Sequence, residues 1–148
     1  FYDVLKYSSK PVVATHSCCR ALADHPRNMT DDMIRALAEK GGVIQINFYP
    51  VFLDGSFHEE EMYTAPRPSY KRIVDHIDHV ASLVGIDHVG IGSDFDGIDV
   101  APEGMENISM MPKLFEEMRR RGYSENDIAK VASENFLNAL SSSGEERS

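Results

Sequence analysis

The chain lacks the features that mark two common classes of protein. It contains no run of about 18 apolar residues, so no membrane span is predicted. It also has no excess of basic residues, because 15 Lys and Arg stand against 24 Asp and Glu, a net charge of −9 with neutral histidines. Since binding to phosphates requires a basic face, this balance argues against a general nucleic-acid binder.

Cysteine is also scarce. Cys18 and Cys19 are adjacent, and the sequence has no Cys-x-x-Cys motif. Adjacent cysteines rarely form a bridge because the small ring is strained, so neither a disulfide scaffold nor a cysteine-based zinc site is predicted. We interpret both as small buried or half-buried residues of a loop. This usage fits a reducing compartment, and a cytoplasmic location is favoured over export, which stays open.

The two ends of the chain differ in character. The first residues, Phe1–Tyr7, include neither an initiator Met nor a helix-capping residue, so the sequence is predicted to start partway through a helix. Residues 141–148 are polar and are predicted to form a flexible tail. We therefore expect residues 1–140 to be the C-terminal portion of a larger domain.

Short β-branched runs alternate with amphipathic helical patterns. Strands are predicted at Pro11–Thr15, Val43–Phe48 and His88–Asp94. The alternation is typical of an α/β fold with parallel strands. Three strands are too few to close a barrel, so we expect them to be part of a larger sheet, preferably a (β/α)8 barrel. Helices are predicted at about 31–40, 69–84, 111–121 and 125–140.

Polar or ionisable side chains follow each predicted strand. The active sites of parallel α/β folds lie at the carboxyl ends of the strands, which singles out His16 and Asp94. His16 suits metal ligation or, alternatively, a core histidine bonded to a backbone carbonyl. Asp94 suits a metal ligand, a general acid/base or a helix cap. Arg27 lies in the loop after His16, where it would bind a carboxylate or remain a solvated surface residue.

The other candidates are weaker. His76 and His79 are three residues apart on one helix face, a spacing that occurs in metal sites, but aspartates flank them and the helix lies outside in any barrel. His25 and His58 lie in predicted loops without convergent partners. Asp96 is interpreted as a turn residue.

Three blocks of sequence carry a resemblance to a known family. They are Pro11–Ser17, His25–Asn28 and Gly85–Gly97, joined by the segments at 43–49 and 73–84. Together they resemble the renal (membrane) dipeptidase family of zinc metallopeptidases, specifically its C-terminal portion. The resemblance implies a distorted barrel of the amidohydrolase type that binds two zinc ions and hydrolyses dipeptides.

The same resemblance implies a role for each candidate. His16 would be a ligand of the second zinc ion, Arg27 would hold the free carboxylate of the substrate, and Asp94 would be the acid/base near the bridging hydroxide. The other zinc ligands of the family are absent from this sequence, and one imidazole does not make a zinc site. We therefore expect a zinc-dependent dipeptidase whose isolated 148-residue chain is inactive and does not retain zinc.

Two alternatives remain open. In the first, the chain is a non-catalytic piece that associates through its open sheet edge, including as a homo-oligomer. In the second, it belongs to an amidohydrolase that acts on another amide or a lactam. Arg27 discriminates between this second alternative and a dipeptidase, because a free carboxylate is what it would recognise.

Overall fold

Three parallel strands in the order β1-β2-β3 form the sheet of the computed structural model, which describes residues 1–142. The strands are β1 (Val13–Ser17), β2 (Val43–Ile46) and β3 (Val89–Ile91). Both neighbouring pairs are parallel, and each connection between them crosses over through a helix. The predicted α/β class is thereby confirmed.

The helices lie before, between and after the strands. None in the described part of the chain is long and apolar enough to cross a membrane. The α-helices are α1 (Tyr2–Tyr7), α2 (Asp31–Glu39), α3 (Pro50–Leu53), α4 (Lys71–Val84), α5 (Met111–Arg120), α6 (Glu125–Ala129) and α7 (Asn135–Ser141). Short 3-10 turns occupy Glu59–Glu61, Ile86–His88 and Ile108–Met110.

Two helix starts follow directly from their capping residues. The Thr30 hydroxyl accepts a hydrogen bond from the Met33 amide at 3.3 Å, which satisfies one of the free N–H groups of α2. Ser124 and Asp127 form a reciprocal capping box at the start of α6. Both starts agree with the positions predicted from the sequence.

The structure corrects the ends of several predicted elements. The first strand begins two residues later than the predicted Pro11–Thr15, and the third is confined to Val89–Ile91. The segment between β2 and α4, which has little periodicity, contains the short helix α3. The last helix is interrupted by a π-helical turn at Lys130–Glu134. Pro50, at the first position of α3, explains that helix start, because its fixed backbone angle suits a first turn.

The predicted tail at 141–148 is only partly described. Ser141 belongs to α7 and Ser142 lies in the turn that follows. The helix therefore extends past the predicted boundary at residue 140. Residues 143–148 lie outside the described part of the chain.

An irregularity in β1 sets the direction of its last side chains. Between the paired positions Ala14 and Ser17, β1 carries one more residue than β2. An extra residue bends a strand and redirects its side chains. Thr15 and His16 are accordingly exposed, whereas Ser17 is buried. The bulge lies at the carboxyl edge of the sheet, where the candidate residues gather.

Helix α4 is anchored on two sides. Its Ile73 and Ile77 are fully buried in the core. On its other side, Arg121 donates to Asp75 and to Asp78, each at 2.7 Å, which joins α4 to the end of α5. Bonds between a guanidinium and two carboxylates are directional as well as attractive. The helix therefore forms a rigid support behind the sheet.

Gly92, just after β3, allows a close approach that generates a prediction. A Cβ there would lie 2.2 Å from the carbonyl oxygen of Thr15 and 3.0 Å from that of Gln45. We expect Gly92→Ala to lower the free energy of unfolding by about 1–3 kcal/mol, because backbone atoms must move to admit the methyl group. Urea denaturation measures the change.

The control for this prediction is Gly90→Ala, two residues earlier in β3, where the nearest atom to the new Cβ is a side-chain carbon at 3.4 Å. We expect that change to alter the free energy of unfolding by less than about 1 kcal/mol. Equal free energies of unfolding for the two variants would show that the close packing of the Thr15 carbonyl against Gly92 does not require a glycine there.

Candidate active site

An open cleft of about 460 Å³ lies at the carboxyl edge of the sheet. All three residues singled out in the sequence line it: His16, Arg27 and Asp94. Its volume falls in the range of small-molecule sites. The remaining lining residues are Tyr49, Phe52, Gly97, Ile98 and Asp99.

His16 projects from the bulge of β1 and is exposed. Its Nδ1 lies 2.8 Å from the Thr15 hydroxyl, and its Nε2 lies 3.5 Å from Nη2 of Arg27. The alternative of a core histidine bonded to a backbone carbonyl does not describe this residue. Because a guanidinium only donates, Nε2 is the acceptor from Arg27 and Nδ1–H donates to the hydroxyl, so the Nε2 lone pair points toward the cleft and toward Arg27.

Arg27 has an exposed side chain on a firmly held backbone. Its carbonyl accepts a hydrogen bond from the Ser17 hydroxyl at 2.9 Å, and its N–H donates to Nδ1 of His25 at 3.1 Å. The guanidinium carbon lies 5.8 Å from the centre of the Phe52 ring. Such contacts hold the position of the charged group at the cleft, with one donor, Nη2, directed at His16.

His25 therefore has convergent partners, contrary to the prediction. Besides its bond to the Arg27 backbone, its ring lies 4.6 Å from the Phe52 ring, centre to centre. The only feature of the sequence that could have indicated this role is the position of His25 two residues before Arg27. Both contacts position the neighbouring loop.

Asp94 adopts an unusual backbone conformation. Its φ is +64°, and it is the only residue other than glycine with a positive φ among residues 1–142. Aspartate tolerates this conformation better than most residues. Its carbonyl accepts from the Gly97 amide at 2.8 Å, which closes a turn through Asp96, as predicted for that residue. Backbone strain of this kind often accompanies functional sites.

Asn47 is a site residue that the sequence did not single out. It is fully buried and follows β2 directly. Its Nδ2 donates to Oδ2 of Asp94 at 3.0 Å, and its Oδ1 accepts from the Tyr49 amide at 2.6 Å. Its position at the end of a strand could have identified it, because the same criterion identified His16 and Asp94.

His76 is a structural histidine behind the cleft. It is fully buried, its Nδ1 accepts from the Cys19 amide at 3.0 Å, and its Nε2 lies 3.0 Å from the Leu53 carbonyl. Both bonds require the neutral form with the proton on Nε2. Burial lowers the pKa of His76 to about 4. His79 instead lies 2.7 Å from an Asp31 oxygen, so the two histidines have separate partners.

The two cysteines are free and buried, as predicted. Burial raises the pKa of Cys19 to about 12, and the negative charge of Asp31 adds to the effect. Burial raises the pKa of Cys18 as well, and its thiol donates to the Asn47 carbonyl at 3.2 Å. Both thiols therefore stay protonated near neutral pH.

Acidic and aromatic residues also surround the cleft. Burial raises the pKa of Tyr49, and the nearby carboxylates of Glu59 and Asp99 raise it further. The Tyr49 ring packs edge-on against Phe52 with centres 5.0 Å apart. The cleft thus contains one guanidinium, at Arg27, together with carboxylates and an aromatic surface.

The described residues do not form a metal centre by themselves. Within residues 1–142 there is no group of three or more His, Cys, Asp or Glu placed to hold a metal ion. Zinc in proteins takes three or four ligands from the polypeptide. His16 offers one nitrogen at the cleft and therefore does not fit a complete zinc site.

A parallel α/β sheet with ionisable groups at its carboxyl edge is typical of α/β enzymes, in barrels and in open sheets. The family follows from sequence. The chain belongs to the membrane dipeptidase family, peptidase family M19, whose family model matches residues 1–146. This confirms the resemblance drawn from the three sequence blocks.

Named relatives and solved structures agree with this assignment. An uncharacterized dipeptidase of Schizosaccharomyces pombe is 38% identical over 92% of this chain and 32% of its own length. A metallo peptidase of Rhodobacter sphaeroides, crystallised with a phosphinate mimic of the dipeptide L-Ala-D-Ala, is 33% identical with a TM-score of 0.84, over 95% of this chain and 38% of its own.

A second crystal structure is that of dipeptidase AC, also of family M19, which is 34% identical with a TM-score of 0.86. The match covers 96% of this chain and 39% of that one. The chain therefore spans about a third to two fifths of the length of these relatives. The structural likeness confirms that its strands belong to an amidohydrolase-type fold.

The buried imidazole predicts a pH dependence of stability. The pKa of His76 is about 4 in the folded state and about 6.5 when unfolded. Because the unfolded state binds the proton more readily, protonation of His76 favours unfolding. The contribution of the neutral, buried imidazole to the free energy of unfolding is therefore fully present above pH 6.5 and is lost as the pH falls towards 4. We expect a loss of about 3 kcal/mol over that window, measured by urea denaturation at several pH values.

His76→Gln removes the titrating group, so the variant should be less stable at pH 7 and show a shallower decline between pH 6.5 and 4. His58→Gln is the matched control, because His58 is exposed. If the free energy of unfolding of His76→Gln fell with pH as steeply as that of the unaltered protein, His76 would not be the source of the pH dependence.

Proposed function

We propose that this chain supplies part of the active site of a metal-dependent dipeptidase. The observation that carries the proposal is the convergence of His16, Arg27 and Asp94, from three separate segments, on one cleft. Membership of the membrane dipeptidase family supports it. The dipeptide mimic bound to the Rhodobacter sphaeroides enzyme supports dipeptides as the substrate class.

Arg27 is the proposed binding group for the free carboxylate of the substrate. Its guanidinium is exposed at the cleft, and its backbone is held by the Ser17 hydroxyl and the His25 ring. A guanidinium pairs with a carboxylate through two parallel hydrogen bonds. The Phe52 ring beneath it offers an apolar surface to the C-terminal residue of the dipeptide.

Asp94 is the proposed acid/base. Hydrolysis adds a hydroxyl group from water to the amide carbon, and the amine leaves with the proton as the C–N bond breaks. Asp94 would take the proton from water and deliver it to the leaving nitrogen. Its carboxylate lines the cleft with one oxygen bound by Asn47, which leaves the other oxygen for the transfer.

Zinc is the proposed metal, because the family to which the chain is similar consists of metallopeptidases. His16 would bind it through Nε2 and would supply one ligand of a two-ion site. Bound zinc supplies a Lewis acid for the water and the carbonyl. Since the described residues lack the other ligands, we propose that the isolated chain neither retains zinc nor hydrolyses dipeptides.

The role of Arg27 is tested on the longest natural polypeptide that contains this sequence. We expect Arg27→Ala to raise KM for a dipeptide by about 10- to 100-fold, because charge-assisted hydrogen bonds to the carboxylate are lost. The C-terminal amide of the same dipeptide, which lacks the carboxylate, should be turned over equally by both proteins. Unchanged turnover of the dipeptide by Arg27→Ala would favour another amide or a lactam as the substrate.

The role of Asp94 is tested in the same assay. We expect Asp94→Asn to lower kcat by about 100- to 10,000-fold with little change in KM, because the amide cannot carry the proton. Asp96→Asn is the control, since this exposed neighbour lies in the turn and does not line the cleft. Full turnover by Asp94→Asn would contradict the role, and activity that survives chelation would contradict the proposed metal.

A further inference from the structure

We infer that Asn47 is a positioning residue for Asp94, holding the carboxylate in the orientation that proton transfer requires. This inference rests on the proposed dipeptidase function. Asn47 does not line the cleft, and of the proposed catalytic and substrate-binding groups its side chain contacts only the aspartate.

The backbone of Asn47 is fixed by the strand beside it. Its N–H donates to the Ser17 carbonyl at 3.2 Å, and its carbonyl accepts from the Cys18 thiol at 3.2 Å. These bonds join the residue to the end of β1. Both bonds use backbone atoms of Asn47, so a substitution of its side chain leaves these donors and acceptors in place.

The orientation of the amide follows from its two partners. Oδ1 accepts from the Tyr49 N–H at 2.6 Å, which leaves Nδ2 as the atom 3.0 Å from Oδ2 of Asp94. A flipped amide would place two oxygens together at the aspartate and two donors together at the tyrosine backbone. The NH2 group is therefore the group that meets the carboxylate.

The carboxylate is held by one hydrogen bond and lies against a glycine. Asn47 binds Oδ2, and the backbone of Gly97 approaches the carboxylate so closely that a Cβ there would lie 2.2 Å from Oδ1 and 3.3 Å from Oδ2. Both Asp94 and Gly97 line the cleft. Without the amide, the carboxylate would rotate about its side-chain bonds, and a displacement of about 1 Å at a reacting group lowers turnover strongly.

Ser17 extends the same connection to the substrate-binding side. Its carbonyl accepts from Asn47, and its hydroxyl donates to the carbonyl of Arg27. The proposed acid/base and the proposed carboxylate-binding group are thereby joined through two intervening residues. Within this connection from Asp94 to Arg27, only the bond to Asp94 uses the Asn47 side chain, so loss of that side chain should affect kcat and spare KM.

A double-mutant cycle in the longest natural polypeptide that contains this sequence tests the inference. The four proteins are the unaltered protein, Asn47→Ala, Asp94→Asn and the double variant. We expect Asn47→Ala to lower kcat for a dipeptide by about 10- to 100-fold with KM within about twofold. In the Asp94→Asn background the same change should lower kcat by less than about twofold, because the group on which Asn47 acts is already inactive.

Gln45→Ala is the matched control. Gln45 is a buried amide two residues earlier in the chain, and its Nε2 donates to the Ile91 carbonyl at 3.1 Å, not to Asp94. We expect its kcat to stay within about twofold of the unaltered protein when both are assayed in the folded state, as verified by circular dichroism. Asn47→Ser serves as a second variant if Asn47→Ala does not fold.

The outcomes separate this inference from the proposed function. An unaltered protein without dipeptidase activity would overturn both. If the unaltered protein is active and Asp94→Asn is slow, then a normal kcat in Asn47→Ala, a change in KM alone or an equal loss in both backgrounds would overturn the inference only. Failure of every Asn47 variant to fold would also overturn it, because the residue would then be purely structural.

Discussion

The hydrogen bond between the Asn47 amide and the Asp94 carboxylate joins the ends of two neighbouring strands. It depends on the parallel arrangement, because only parallel strands bring their carboxyl ends to the same edge of a sheet. The buried amide is satisfied at both of its polar atoms, so it makes a rigid connection in a region of low dielectric constant. The geometry of the cleft is organised around this connection.

The loops of the cleft are supported from behind by a second buried group. His76 receives a hydrogen bond from the Cys19 backbone and donates one to the Leu53 backbone, and so holds the loop after β1 against α3. Asn28 strengthens the same junction, because its Nδ2 donates to the carbonyls of Ala23 and Phe52. An exposed, charged side chain such as that of Arg27 thereby stands on a backbone with little freedom. Such support is what a binding group needs in order to keep its geometry.

Much of the fold was predictable from local signals. The helix start at Thr30, the capping box at Ser124 and the fully buried strand β2 follow from residue type and spacing. The places of His16 and Asp94 followed from one topological rule about strand ends. The bulge in β1, the short helix α3 and the π-helical turn before α7 were not predictable, because they depend on packing against distant residues.

The sequence by itself determined the α/β class, the family and the residue types that carry the chemistry, because periodicity, caps and spaced motifs are local properties of the chain. Only the tertiary structure decided which of these residues meet. The contacts of His76 reach residues 23 and 57 positions away, and that between Asn47 and Asp94 spans 47 positions. Such pairings are set by the register of the parallel strands and the packing of helices on them, which no local pattern encodes.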